Sequence, residues 1–575
     1  MIESQITDNL YYLCHNMYRK ILNIVPSEFL SRGWVLALNI MFRAVLNFFS
    51  VALMVPLLVL ILDRETFVQN PVYRAICDWA GMESYREFAV CVIVAIVLSV
   101  LLKSVLSLLL YRYERDYIYD LYRSLSRRMY IDYFKRGLLF VRQNNSAELS
   151  RRVNLISLNF VVGFLRPIAV IAGEVVLLGL ILVALAIYDI WALCVVVLIF
   201  APAICGYYYF VRRRLNQYGR EENEAHKVRF RSVAESFRGY ADVEVNNAFP
   251  RMLSIYDQYT MRLSSVQKRD AMLSAMPQSF MELAITLGMA LLVVTGVFLP
   301  EANVKIVFGV FAVASIRLMP SVRTILSAYS SMSHNKYTLE ILSDTSDRVD
   351  AIDESKRKNL KSHIELHNVC FSYQDEPVIK DFNLIIKRGD RVGIQGSSGR
   401  GKSTLMNLLV GLLSPDSGEI LIDGELLTKD NSRLWQNSIG YVSQSVFLLD
   451  STLKENIAFG VEPNKIDMDR LRDVISLASL DEFVKTLPDG VDSNIGEGGC
   501  RISGGERQRI GIARALYRKA DVLLLDEATS SLDSNTQSQI NEAIKKLSQK
   551  NPELTIVVIA HRASALDYCD YIVNM

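Results

Sequence analysis

Six stretches long and apolar enough to cross a bilayer crowd into about the first 330 residues, and nothing else constrains this chain as much. They run at about Trp34–Leu62, Arg86–Tyr111, Phe160–Tyr188, Trp191–Val211, Ala275–Leu299 and Val304–Ala328, each reaching the roughly 20 residues that a helical span needs. A single stretch could equally be a buried helix of a large soluble core. Six in one half of the chain leave little room for that reading. The overall 51% apolar and 22% charged residues therefore average two unlike halves, and they exclude a disordered or collagen-like chain. A net charge of +2 excludes a protein that coats nucleic acid by charge alone, and no nucleic-acid partner is expected.

Basic residues orient the spans. Arg112, Arg115, Arg123, Arg127, Arg128, Lys135, Arg136 and Arg142 lie between the second and third, and Arg212, Arg213, Arg214, Arg229 and Arg231 between the fourth and fifth. The other connections carry few bases, so the two basic connections and both termini are placed in the cytoplasm. Both are too long for structureless loops. The first has no proline and a single glycine, Gly137, which suits helix continuing out of the membrane. On the outer side, Pro71–Ala80 spaces Val72, Ala75, Ile76 and Trp79 as a short amphipathic helix. The eight cysteines form no CxxC or zinc spacing and read as free thiols.

The organisation read from these signals is a transmembrane domain over 1–342 with six membrane helices and long cytoplasmic arms, a polar linker over 343–362, and an α/β domain over 363–575. In the last, the strand Arg391–Gln395 runs into Gly396, Ser397, Ser398, Gly399, Arg400, Gly401, Lys402 and Ser403, a GxxxxGK[ST] phosphate loop, with Thr404 in the helix that follows. Backbone N–H groups of such a loop face phosphates. Lys402 would reach the β and γ phosphates of ATP, and the Ser403 hydroxyl would ligate Mg2+. A second apolar strand, Val522–Leu525, ends in Asp526 and Glu527. Asp526 is expected to hold the magnesium and Glu527 to polarise the attacking water.

Further motifs carry a family resemblance. Ile502-Ser503-Gly504-Gly505-Glu506, followed by Arg507-Gln508-Arg509, resembles the signature of ATP-binding cassette (ABC) proteins. Gln444 in Tyr441-Val442-Ser443-Gln444 is similar to the family's Q-loop, Ser530-Ser531-Leu532-Asp533 to its D-loop, and His561 to its switch histidine. Tyr373 stands where the family stacks an aromatic ring on adenine. The resemblance implies catalytic roles for Glu527, His561 and Gln444, nucleotide contacts from Tyr373, the phosphate loop and Ser503–Glu506, and magnesium held by Ser403, Gln444 and Asp526. Ile502 replaces the usual leucine and Glu506 the usual glutamine of the signature, and the domain's last element is expected to be incomplete after Met575.

Six membrane helices before one ATPase domain resemble an exporter-type half-transporter, in which each nucleotide lies between the phosphate loop of one copy and the signature of another. The resemblance implies a homodimer, coupled through short helices near Arg142–Leu149 and Glu235–Val245. Lys103, Glu282 and Arg317 fall roughly 20–26 Å from the outer face by helical rise, with Arg43 and Arg323 deeper. Lys103, Arg317 and Arg323 are therefore candidate contacts for an anionic headgroup; internal pairing with Glu282 is the alternative. Arg317-Leu318-Met319-Pro320-Ser321 and the outer helix resemble bacterial flippases of lipid-linked oligosaccharides. The expected function is thus ATP-driven flipping of a polyprenyl-pyrophosphate-linked oligosaccharide across the bacterial inner membrane, with the ATPase domain in the cytoplasm. Export of another lipid, drug or peptide is the alternative, and an ATP-gated channel or regulator a further one.

Overall fold

The computed structural model describes residues 17–53, 85–188, 190–298, 304–344, 357–374, 376–397, 399–496, 499–529, 533–560 and 566–575. The chain divides into two compact units, Met1–Arg136 with Phe140–Val349, and Asp350–Met575 with Gly137–Leu139.

The first unit is a set of long helices: α1 (Ser27–Ala52), α2 (Tyr85–Lys135), α3 (Arg166–Tyr188), α4 (Ile190–Arg238), α5 (Phe249–Phe298) and α6 (Val304–His334). The described parts of the six apolar segments fall one in each, the third beginning in the π-helical stretch that precedes α3. Among the described residues, three helical stretches are long and apolar enough to cross a membrane, within α1, α2 and the run Asn159–Ile187, and a bent pair in α4 makes a fourth. The segments in α5 and α6 include side chains outside the described residues, as does the expected outer helix Pro71–Ala80. Apolar side chains face outward on α2, where Leu102 is 71% and Leu108 68% exposed, as expected of a surface that lipid covers.

Past Tyr111, α2 changes character without ending. Ile118, Leu121, Leu125 and Met129 recur at helical spacing and are buried against Phe160, Phe164 and Leu339, while polar residues take the opposite side. The segments expected near the coupling helices form the short helices Ser146–Arg151 and Tyr240–Val245. In the former, burial pushes the Glu148 carboxyl up, but hydrogen bonds from Arg151 (2.8 Å) and Arg152 (2.7 Å) outweigh it and hold the group below the usual carboxylate range. Two π-helical stretches, Arg152–Ile156 and Asn159–Leu165, then lead into α3.

Helices α4 and α6 touch backbone to backbone. A Cβ on Gly219 would lie 1.8 Å from the His334 carbonyl oxygen, so only glycine fits. Gly219→Ala should force these helices apart, at a cost of about 1–3 kcal/mol or more. Thermal unfolding of the purified protein in detergent checks this, and an unchanged melting point would mean that the contact is loose.

In the second unit, a five-stranded parallel sheet has the order β6 (Ile439–Val442), β7 (Val522–Asp526), β8 (Thr555–Ile559), β3 (Arg391–Gln395), β9 (Tyr571–Asn574). The central strands β7 and β8 are buried at every position, which explains their unbroken apolar sequences VLLL and IVVI. A four-stranded antiparallel sheet, in the order β2 (Glu376–Lys387), β1 (His363–Tyr373), β4 (Ser417–Ile422), β5 (Glu425–Leu426), completes the strands. Helix α7 (Lys402–Leu409) follows β3 directly, α8 (Gly504–Tyr517) precedes β7, and α9 (Ser534–Lys550) joins β7 to β8. This arrangement brings the C-terminal ends of β3 and β7 to the same edge of the parallel sheet, where ligands of such sheets bind.

Candidate nucleotide site and membrane cavity

The loop between β3 and α7 is shaped by its glycines. Gly401 caps α7 at φ +91°, and a Cβ there would meet Val378 at 2.8 Å. Lys402 is buried and its Nζ donates to the carbonyls of Gly396 (2.8 Å) and Ser397 (3.0 Å), so its ammonium is held inside the loop. Thr404 Oγ1 lies 3.5 Å from the Tyr373 hydroxyl, which sets the Tyr373 ring, edge-on to Phe371, beside the start of α7. Ser398 lies outside the described residues.

The acidic strand tip supplies the second half. Ser403 Oγ donates to Asp526 Oδ1 at 3.2 Å, joining the two expected magnesium ligands. Burial raises the Asp526 carboxyl above its ordinary range, with the Ser403 hydroxyl opposing the shift and nearby Glu527 adding to it. Along a strand, neighbouring side chains point to opposite faces. Glu527 escapes that rule because its φ is +51°, a left-handed conformation that a non-glycine residue adopts at some cost. Its carboxylate thereby receives Gln444 Nε2 at 2.8 Å, while its backbone N–H donates to Ile559 O at 3.0 Å. Gln444, Ser403, Asp526 and Glu527 are so brought together from three places in the sequence. His561 and the D-loop residues Ser530, Ser531 and Leu532 lie outside the described residues.

The signature segment opens α8. Ser503 is its N-cap: its Oγ accepts from the Glu506 N–H (3.2 Å), and the Glu506 carboxylate accepts from the Ser503 N–H (2.7 Å). This reciprocal box accounts for glutamate at a position where the family has glutamine, because a carboxylate suits the positive end of a helix dipole. Gln508, one turn on, donates to Glu527 O at 3.4 Å.

The donor set fits ATP and magnesium. A buried ammonium and a glycine-rich turn suit phosphates, and a hydroxyl beside a single carboxylate suits Mg2+, which takes few protein ligands and completes its shell with phosphate and water.

In the membrane unit, a cavity of about 460 Å³ opens between the start of α3 and α6. Arg166 and Arg323 line it, with Thr324, Ser327 and Ser331 as polar neighbours and Val170 and Met319 as apolar wall. Arg166 Nε is buried without a hydrogen-bond partner among the described residues. Of the three bases expected at the headgroup, Arg323 lines this cavity, Lys103 on α2 is half-buried and does not, and the Arg317 side chain lies outside the described residues. Depth along a helix fixes height but not facing, and the facing separates Lys103 from Arg323. Arg166 was missed because it stands at the inner end of its segment, although a base inside an apolar run was the signal for it. Arg43 is ion-paired to Glu114 at 2.6 Å, and Glu282 is exposed and accepts from Gln278 at 3.0 Å.

A chain that joins a phosphate-loop ATPase sheet to a bundle of membrane helices couples nucleotide turnover to work in a bilayer; by class it is an ATP-driven membrane transporter. Its sequence matches the ABC transporter family over residues 379–530 and the ABC transporter transmembrane region over residues 54–320. Among relatives, the ATP-dependent lipid A-core flippase of Ralstonia nicotianae is 30% identical over 457 residues, covering 78% of this chain and 76% of that protein. A probable ABC transporter ATP-binding/permease protein of Haemophilus influenzae is 30% identical over 347 residues, covering 59% and 62%. Among solved structures, a bacterial Atm1-family ABC exporter with ATP bound superposes with a TM-score of 0.71 at 20% identity, covering 95% of this chain and 93% of that one, and so shares its fold. The chain belongs to the ABC transporter family, as an exporter-type half-transporter with one membrane domain and one ATPase domain. It is a multi-pass protein of the bacterial inner membrane with its ATPase domain in the cytoplasm.

Proposed function

We propose that this exporter works as a homodimer that flips a polyprenyl-pyrophosphate-linked oligosaccharide from the cytoplasmic to the outer leaflet. The observation that carries this reading is the cavity whose two guanidiniums, Arg166 and Arg323, stand among hydroxyls, with a donor of Arg166 left unused. Guanidinium groups bind phosphate oxygens in pairs, and a pyrophosphate offers enough oxygens for both. Arg317 belongs to the same proposed headgroup set by its depth, whereas Lys103, which does not line this cavity, is proposed only as a further contact for the lipid at that depth. At the nucleotide, Lys402 and the phosphate loop bind the β and γ phosphates, Tyr373 stacks on adenine, and Ser403, Gln444 and Asp526 hold magnesium. Bound magnesium would neutralise phosphate charge. Glu527 accepts the proton of the attacking water, oriented by Gln444, and His561 serves as the switch histidine. Ser503–Glu506 of one copy close on the nucleotide of the other.

A second reading, export of lipid A-core, is favoured by the names of several relatives, which are lipid A-core flippases. Both lipids bring phosphate to the same two arginines, so the lipid must be tested directly. In proteoliposomes, polyprenyl-pyrophosphate oligosaccharide should stimulate ATP hydrolysis and be translocated. The Arg166→Ala, Arg323→Ala double variant should lose translocation by about 10-fold or more while basal hydrolysis persists, since charge-assisted hydrogen bonds contribute roughly 1.5–3 kcal/mol each. Stimulation by lipid A-core alone would select the second reading. Normal translocation by the double variant would remove the cavity as the headgroup site.

A further inference from the structure

One turn near the end of α6 holds an unusual concentration of contacts. His334 Nε2 lies 2.8 Å from Glu222 Oε2 on α4, and its Nδ1 lies 3.3 Å from Asp270 Oδ1 on α5. Both ring nitrogens therefore face carboxylates; the Nδ1–Asp270 contact is an ion pair by distance, both atoms being buried without a hydrogen-bond partner among the described residues. Glu222 is held in turn by Gln267 Nε2 (3.1 Å) and lies 3.4 Å from His226 Nε2. Tyr207 on α4 and Tyr337, just beyond α6, complete the titratable groups around the cluster. One turn back, Ser331 Oγ donates to Gly163 O at 3.0 Å, and Asn335 Nδ2 reaches the same carbonyl at 3.4 Å. Gly163 belongs to the π-helical stretch Asn159–Leu165, whose widened turns mark functional positions more often than ordinary helix does. Ser331 also lines the cationic cavity, and in the sequence His334 is followed by the short helix Tyr337–Leu342.

We propose that the turn Ser331–Asn335 is a coupling hub and His334 its positioning residue, a charged clip that ties the end of α6 to α4, α5 and the entrance of α3, so that movement of α6 driven by nucleotide reaches the cavity walls. The closely seated Gly219 prevents α4 from sliding past the clip. Burial alone would discharge the imidazole. Its pairing with the Asp270 and Glu222 carboxylates outweighs burial and raises its pKa to about 9, while Glu222 is held well below the usual carboxylate range. Because the folded value lies above the ordinary one, the clip is charged throughout the physiological range and is lost as pH rises through about 9.

The hub takes the cavity as the transport site from the proposed function, but its test needs no lipid. Hydrogen–deuterium exchange of the full-length protein, with and without ATP, magnesium and vanadate, reads the response of the cavity-wall peptides 160–171 and 318–335. Protection of peptide 396–409 reports nucleotide binding independently. In the native protein, nucleotide should change exchange in all three peptides. His334→Gln should keep the change in 396–409 and lose most of it in the other two, and His334→Lys, which restores a cation, should recover it. A purely structural histidine would not be rescued by lysine. Should His334→Gln fail to fold, Glu222→Gln and Asp270→Asn ask the same question from the other side. A native-like response of the cavity walls in His334→Gln, or in both carboxylate variants, would overturn the proposal. Failure of any lipid to stimulate the native protein, with the exchange response intact, would count against the proposed substrate and leave the hub standing.

Discussion

Glu527→Gln should bind ATP as well as the native protein and hydrolyse it about 10²-fold more slowly or worse. The substitution keeps the shape of the side chain and a carbonyl oxygen to accept from Gln444 Nε2, now 2.8 Å from the carboxylate. What it removes is the basic oxygen that would take a proton from water. The backbone at this position is already left-handed, so the side chain is aimed by the chain rather than by its charge, and the glutamine should occupy the same place. Phosphate release under saturating ATP, set beside nucleotide affinity by equilibrium binding, separates the two effects. Near-native turnover would place the base elsewhere.

Lys402→Ala should show the complementary defect. The ammonium sits within the phosphate loop, held by the carbonyls of Gly396 and Ser397. Those carbonyls have other lone-pair partners in water, whereas the phosphates have no second buried ammonium in this loop. Loss of a preorganised cation at developing charge typically costs roughly 10²–10³-fold in turnover, and a charge-assisted hydrogen bond contributes about 1.5–3 kcal/mol to binding. ATP affinity should therefore fall about 10-fold or more, and hydrolysis further still. Isothermal titration with ATP and magnesium, beside a turnover assay, reads both. Native affinity in Lys402→Ala would mean that the loop's backbone N–H groups alone carry the phosphates.

The two variants probe the part of the molecule that the sequence made plainest. The phosphate loop, the acidic strand and the signature are short, ordered and chemically specific, so Lys402, Ser403, Asp526 and Ser503 could be placed from the chain alone. What the sequence could not show was the left-handed turn at Glu527, because no residue preference announces it there; the Ser503–Glu506 cap, by contrast, follows the legible S-x-x-E pattern. In the membrane half, helical rise locates a base in depth, and it puts forward Arg323, which lines the cavity. Facing was harder. Each residue turns the helix by about 100°, so an error of one or two positions in a long segment moves a side chain to another neighbour. The π-helical stretches Arg152–Ile156 and Asn159–Leu165 add to that error at the inner end of the third segment, where Arg166 reaches the cavity unforeseen. The His334 cluster was beyond reach for a different reason. Glu222, Asp270 and His334 stand on three helices, and pairing between them is a fact of packing, not of spacing.

The length of α2 has a mechanical meaning. At 51 residues it is about 76 Å long, without an internal proline or glycine to bend it. A stiff rod of that length works as a lever. Tilting it by about 5° around its midpoint carries each end through roughly 3 Å, a distance comparable to a hydrogen bond. Contacts at the cytoplasmic tip can therefore shift by less than the width of an atom and still change how the opposite end meets its neighbours, with no residue along the way leaving its helical conformation.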